Sequence, residues 1–457
     1  MKRRRARKPS ASGSRLVHVI DPIRSFIRGH AWWQTALIAI GVITFLSVLG
    51  GLFFAVGDKP GEVIPIARVP PVASPDFATA LSRLVNAPIE QGGTIEVLNN
   101  GDEFVPALLA SLNGAKKTIN FSVYIWTDGE FSDRVLNALV ARQKAGVAVR
   151  VLLDGLGARG APKDRFQALE DAGARIEKFR MPKFGKLTRF HRRNHRRAIV
   201  IDGEVGYTGG MAVYDKWLGR AQDPDHWRDM MFKVSGRLAS SLQAAFAGAW
   251  VASSGEILVG PDIYPAHAQT PAGAVERFIH YVNSPADDDV SMASFYLLPI
   301  MAARERVYIA TPYFIPDDHL KRTLADRART GVDVRLVLPG RHIDNASARY
   351  SGQNHYDELM EAGVKIYEYR PTFIHSKFAV VDGQWSIIGS PNLNSRSRTL
   401  DEENAYGILD AELARALERA FVADLKQSDE IRLVEWRKRN PFVRLVQQLS
   451  RVLDQQS

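Results

Sequence analysis

The sequence predicts an α/β protein made of two homologous halves packed about a pseudo-twofold axis, preceded by a single transmembrane helix. Three observations predict it. One long run near the N-terminus carries no charge, the remainder repeats one pattern twice, and each copy alternates β-branched runs with helical stretches.

The chain has 457 residues, 46% hydrophobic and 24% charged, the balance of a folded protein. That length exceeds one ordinary core and suffices for two. Cysteine is absent. Disulfides, thiolate catalysis and a cysteine metal site are therefore excluded, and the redox compartment is left open. The net charge of +10 is local. Residues 1–30 hold nine Lys or Arg against Asp21 alone, so they carry +8 and residues 31–457 only about +2. The body is not a generally basic nucleic-acid binder, and no nucleic-acid partner is expected.

Residues 1–31 form the basic tail. Trp32 to Val56, WWQTALIAIGVITFLSVLGGLFFAV, is uncharged and long enough to cross a hydrocarbon core of roughly 30 Å, with two Trp at its edge. A cleaved signal peptide competes with this reading, but the run is long for one and no A-x-A site follows. A retained single-pass membrane anchor is expected. Its basic flank favours a cytoplasmic N-terminus and places the body on the outer face. Residues 57–76 hold five prolines and read as an extended linker.

From there the chain repeats itself, over 77–257 and again over 258–430. GVAVRVLLDG, AGARIEKFR and HRRAIVIDGEVGYTGG in the first copy answer GVDVRLVLPG, AGVKIYEYR and HSKFAVVDGQWSIIGS in the second. AKKTINFSVYIW and RERVYIATPYFI supply the opening strands. In the tail, 431–457, Phe442, Leu445, Val446, Leu449 and Leu453 share one helical face, with Arg444 and Arg451 opposite. Such a helix either lies in a bilayer interface or docks on the protein's own core.

The chemistry sits in the last block of each copy. His375-Ser-Lys377-x-x-x-x-Asp382 is followed after six residues by Gly389-Ser390-Pro391-Asn392. His195-Arg-Arg197-x-x-x-x-Asp202 is followed after six by Gly209-Gly210-Met211-Ala212. Histidine and cation at i and i+2 share one face of a strand. Two such pairs can converge on one site. One neutral imidazole would attack phosphorus, the other would shuttle the alcohol proton, and the cations and amide donors would hold the non-bridging oxygens. That chemistry requires no metal and no cofactor. Each histidine needs a carboxylate partner, and Glu403 and Asp229 are the candidates. Which histidine is the nucleophile stays open.

HxKxxxxD with GSxN, once in full and once altered, resembles the signature of the phospholipase D superfamily. The runs NHRR, WRD, TPYFIPDD, VLPGR, YDELMEAGVKIYEYRPTFIHSK and SPNLNSRSRTLDEEN resemble its bacterial cardiolipin synthase branch. The resemblance spans roughly residues 95–440. It implies transfer of a phosphatidyl group between two phosphatidylglycerol molecules, with glycerol released. It also implies site roles for His195, His375, Lys377, Glu403 and Asp229, and it counts Arg197, Asp202 and Asp382 as motif positions, the aspartates more as braces of the fold than as phosphate contacts. Ser390, Asn392, Gly209 and Gly210 support the site in this reading. The first half departs from the pattern at Arg197 and Ala212, which changes the donor set around the phosphate.

A basic patch, Lys183, Lys186, Arg189, Arg192, Arg193 and Arg196, with Phe184, Leu187 and Phe190 among it, precedes the first motif. It reads either as a rim for anionic head groups or as a solvated loop. The expected partners are phosphatidylglycerol and the membrane; oligomeric state is not fixed by sequence. Three other functions use the same features: a phospholipase D passing the phosphatidyl group to water or another alcohol, a phosphodiesterase on nucleic acid, and an inactive lipid-binding protein.

Overall fold

The structure is a computed structural model that describes residues 69–179, 193–266, 274–283 and 291–441, with isolated helical positions at 34, 37, 38, 40–42, 44, 45, 444, 447 and 450. Residues 1–65 and 66–457 separate into two units. In the first unit the expected membrane span Trp32 to Val56 lies outside the described residues, apart from those helical positions; among the described residues no helix is long and apolar enough to cross a membrane. Most of the Pro-rich linker also lies outside them. The remaining part ends early, because Ser74 accepts from the Asp76 N–H and caps a helix over Pro75–Leu84.

The second unit is mixed α/β with two sheets. In chain order the strands begin with β1 (Ile89–Glu90). The first copy then supplies β2 (Ile95–Asn99), β3 (Thr118–Val123), β4 (Ala148–Asp154), β5 (Arg175–Phe179), β6 (Ala198–Ile201), β7 (Val205–Gly209) and β8 (Met230–Ser235). The second copy supplies β9 (Arg277–Asn283), β10 (Arg306–Ala310), β11 (Asp333–Pro339), β12 (Lys365–Tyr369), β13 (Phe378–Val381), β14 (Trp385–Gly389), β15 (Glu403–Leu409) and β16 (Ser428–Ile431). The first sheet runs β2-β8-β7-β6-β3-β4-β5, and the second runs β1-β9-β15-β14-β13-β10-β11-β12-β16. Seven consecutive strands of the second sheet follow the order of the first. The strands β3, β4 and β5, like β10, β11 and β12, are parallel, and helices such as Glu130–Lys144 and Asp318–Arg329 make the crossovers that parallel pairing requires.

Alternation along the strands explains the layers. In β6, Ile199 and Ile201 face an outer core with Phe121, Trp126 and Leu139, while Ala198 and Val200 face inward. The inner core joins both sheets through the helices Gly236–Ser254 and Ala411–Lys426, with Phe246, Trp250, Leu417 and Phe421 in it. Two segments cross the boundary that the repeat suggests. Residues 75–90 adjoin the first half in sequence, yet β1 pairs with β9 and Phe77 packs edge-on against Trp385, 5.0 Å between rings. The tail docks on the second half. Gln447 Nε2 donates to Gln353 Oε1 at 2.8 Å, and Ser351 Oγ donates to the Ser450 carbonyl at 3.1 Å. These contacts are those of a helix seated on the protein; Phe442, Leu445, Val446, Leu449 and Leu453 lie outside the described residues.

Asp202 and Asp382, grouped with the catalytic set by their motif, stand at the opposite ends of β6 and β13 from the histidines. Asp202 accepts from the backbone N–H groups of Lys116, Lys117 and Thr118, and Asp382 from those of Arg304, Glu305 and Arg306, all within 3.0 Å. Both sit at positive φ (55° and 52°) at the start of an Asp-Gly hairpin turn. A carboxylate suits that turn because it also closes three backbone donors at the entry to the neighbouring strand. Asp202→Ala and Asp382→Ala should each lower unfolding free energy by about 2 kcal/mol or more. Urea melts test this, and unchanged midpoints would contradict the bracing role.

Candidate active site

The two motif segments do not lie within strands but in the extended lead-ins to β6 and β13, where each leans on the opposite half. His195 N donates to the Glu402 carbonyl at 2.9 Å, and His375 N donates to the Arg228 carbonyl at 2.7 Å. Each histidine is thereby brought to a carboxylate from the other copy. Nδ1 of His195 lies 2.9 and 3.0 Å from the two oxygens of Glu403, and Nδ1 of His375 lies 2.7 Å from Oδ2 of Asp229. The sequence marks all four residues but not this exchange. All four side chains are buried.

Two cations complete the set. Arg197 is fully buried and donates from Nη1 to the His195 carbonyl at 2.6 Å. Its Nε and Nη2 are buried and have no partner among the described residues. Lys377 Nζ donates to the His375 carbonyl at 3.0 Å and stands 3.0 Å from both ring nitrogens of that histidine. Asn392 is buried, its backbone N–H donates to Ser397 Oγ, and its side-chain oxygen has no partner among the described residues. Its counterpart Ala212 packs in the outer core.

The carboxylates are held in different ways. Ser390 Oγ donates to Glu403 Oε2 at 2.5 Å, and Ser397 Oγ donates to Oε1 at 2.8 Å. Asp229 instead accepts from the Trp217 indole N–H at 2.9 Å and from the Met230 N–H at 2.7 Å. Gly210 makes room for it, since a Cβ there would lie 2.2 Å from Asp229 Oδ1. Gly209 sits at φ 142°, and a Cβ on it would lie 2.5 Å from the Met230 carbonyl oxygen.

Electrostatics follow from burial. Desolvation, then the Arg197 and Lys377 charges, hold both imidazoles well below the usual histidine range. Burial raises Glu403 to about 7 and Asp229 to about 6, against the lowering influence of their hydroxyl, indole and cation neighbours. Lys377 is lowered to about 7, chiefly by burial. In its neutral form each imidazole points Nδ1–H at its carboxylate and turns the Nε2 lone pair away from it, at His375 toward Lys377 Nζ at 3.0 Å.

Several residues escaped the sequence reading. Trp217, Trp227, Phe373 and Tyr313 surround His375 with ring centroids 5.3 to 6.4 Å away, whereas His195 meets Tyr124 at 4.9 Å. Trp217 and Ser397 are offset along the chain by the same interval as His195 and His375. Carrying the repeat onward from Gly210 and Ser390 would therefore have found them. Arg196 leaves the basic patch altogether. It is buried, pairs with Glu402 at 2.8 Å and donates to the carbonyls of Asn283 and Glu403, because an arginine between two extended segments can tie both. Lys183, Lys186, Arg189 and Arg192 lie outside the described residues.

A family model described as "Cardiolipin synthase, PLD-like domain" matches residues 108–250 and 296–425. Cardiolipin synthase 2 of Bacillus anthracis is 35% identical over 360 residues, 78% of this chain and 69% of its own length. Cardiolipin synthase of Listeria innocua is 32% identical over 375 residues, 81% of this chain and 77% of its own. The crystal structure of phosphatidylserine synthase from Haemophilus influenzae shares the fold with a TM-score of 0.63 at 16% identity, covering 83% of this chain and 99% of that one. With the family model spanning both sheets and relatives matched over most of their length, the chain belongs to the cardiolipin synthase family of phospholipase D-like proteins.

Proposed function

We propose that this protein is a cardiolipin synthase that moves a phosphatidyl group from one phosphatidylglycerol to a hydroxyl of a second and releases glycerol. The observation that carries the reading is the pair of histidines, each held by a carboxylate of the other half, beside two donors of buried Arg197 that have no partner among the described residues. Those donors suit non-bridging phosphate oxygens, which a guanidinium binds through two parallel hydrogen bonds. The cardiolipin synthase relatives support phosphatidylglycerol as substrate.

In this mechanism the Nε2 lone pair of one histidine attacks phosphorus, forming an N–P bond as the P–O bond to glycerol breaks. The other histidine starts as the imidazolium, with a second proton on Nε2 stabilised by its carboxylate, and gives that proton to the departing alkoxide. It then takes the proton of the incoming hydroxyl, whose oxygen attacks phosphorus while the N–P bond breaks. Arg197 and Lys377 offset the charge on the oxygens throughout, and Glu403 and Asp229 stabilise each imidazole as it becomes cationic. The shared strand order and the recurring motif blocks support two halves related by a pseudo-twofold. The basic 1–30 segment and uncharged 32–56 run support a single-pass inner-membrane anchor with the body on the outer face.

Purified protein given phosphatidylglycerol vesicles should form cardiolipin and free glycerol by mass spectrometry. His195→Ala and His375→Ala should each lose about a thousandfold or more. Phosphatidate as sole product would instead indicate a hydrolase. Activity should rise with pH through about 6 to 7 as Asp229 and Glu403 ionise, and fall at higher pH as Lys377 loses its proton. Lys377→Arg should remove the alkaline limb, since arginine stays charged; an unchanged limb would assign it elsewhere. Gly210→Ala should cost about a hundredfold in kcat by displacing Asp229, and wild-type turnover in that variant would contradict the placement.

A further inference from the structure

We propose that Trp217 is the positioning residue that orients Asp229, and through it His375, with one indole N–H where Ser390 and Ser397 orient Glu403 with two hydroxyls. The proposal rests on the two-histidine reading above and adds to it an unassigned member of the site.

The matched positions carry the argument. Ser390 and Ser397 correspond to Gly210 and Trp217, at the same offset that relates His375 to His195. In the second half both hydroxyls reach Glu403, one on each oxygen. In the first half the carboxylate is one methylene shorter. Asp229 occupies the space that a side chain at 210 would fill, as the 2.2 Å approach to an added Cβ shows. A hydroxyl at 210 has no room. The remaining side-chain donor comes from 217, and an indole spans a distance that serine cannot. Trp217 is fully buried at the end of a short 3-10 turn, Asp215–Trp217. It packs edge-on against Trp227 at 4.9 Å and against the His375 ring at 5.3 Å. Its N–H therefore has a fixed direction, unlike a hydroxyl that can rotate. Asp229 also faces the Lys377 and Arg197 charges and His375 itself, while its neighbour Arg228 is turned to Asp424. Those cations favour the ionised carboxylate from a distance; the Met230 and Trp217 N–H groups fix where its oxygens point.

The test uses the full-length protein in detergent with phosphatidylglycerol vesicles. Trp217→Phe keeps a ring and removes the donor. The expected result is a kcat lower by about tenfold or more with KM within about twofold. The acid limb of the pH profile should move upward, because a carboxylate that loses a donor ionises less readily. Trp217→Met supplies the same measurement if the phenylalanine variant does not fold, with thermal melts recorded for both. A double-mutant cycle separates positioning from packing. In an Asp229→Asn background, Trp217→Phe should cost little further; an equal loss in both backgrounds would overturn the proposal. So would a wild-type kcat and acid limb in Trp217→Phe while His195→Ala and His375→Ala are inactive. Undiminished turnover in both histidine variants would overturn the two-histidine reading itself, and this proposal with it.

Discussion

Burial of two imidazoles, two cations and two carboxylates in one site is the constraint on which the rest of the molecule depends. An isolated ion at that depth costs several kcal/mol, so each charge must find its complement nearby. The chain meets this by exchange. Glu403 serves His195, Asp229 serves His375, and the segments that carry them are joined by backbone hydrogen bonds from His195 to Glu402 and from His375 to Arg228. Arg196 reinforces one crossing by tying Glu402, Glu403 and Asn283 to the first motif. Neither His195 nor His375 takes its carboxylate from its own half. The two sheets and the helices between them hold the crossing segments in place.

The halves share topology but not chemistry. Around His195 the supports are hydroxyls, with Tyr124 the one ring against the imidazole among the described residues. Around His375 they are an indole and a backbone N–H inside a box of four aromatic side chains. Gly210, Ala212, Trp217 and Asp229 thus form a coherent alternative to Ser390, Asn392, Ser397 and Glu403. Seen this way, the first half's departures from the family signature are one set of linked changes, with a shorter carboxylate met by a longer donor. Arg197 extends the pattern, since its fork presents two parallel donors where lysine presents a point charge.

Much of this was legible in the sequence because it repeats. The strands, the two histidines, their cations and the candidate carboxylates all follow from motif spacing and alternation. The exchange of carboxylates was not legible. Asp229 and Glu403 follow their motif aspartates at unequal intervals, and linear spacing does not reveal which copy a side chain reaches. Arg196 read as part of a basic run because sequence shows the charge and hides the burial. β1 read as first-half because its partner β9 lies in the other copy, a pairing that no local pattern encodes. The motif aspartates show the reverse case. Their place before glycine reflects turn geometry and three backbone donors, which is a folding requirement inside a catalytic signature.

The proposed reaction passes the phosphatidyl group through a single histidine of a site that both halves build. Its most direct test is rapid quenching of the enzyme with phosphatidylglycerol labelled at phosphorus, followed by peptide mapping of the protein-bound label under alkaline conditions, where phosphohistidine persists. An adduct is expected on His195 or His375, at no more than one per chain, formed and consumed within a turnover. Label on any other residue, or turnover with no protein-bound phosphorus, would contradict it.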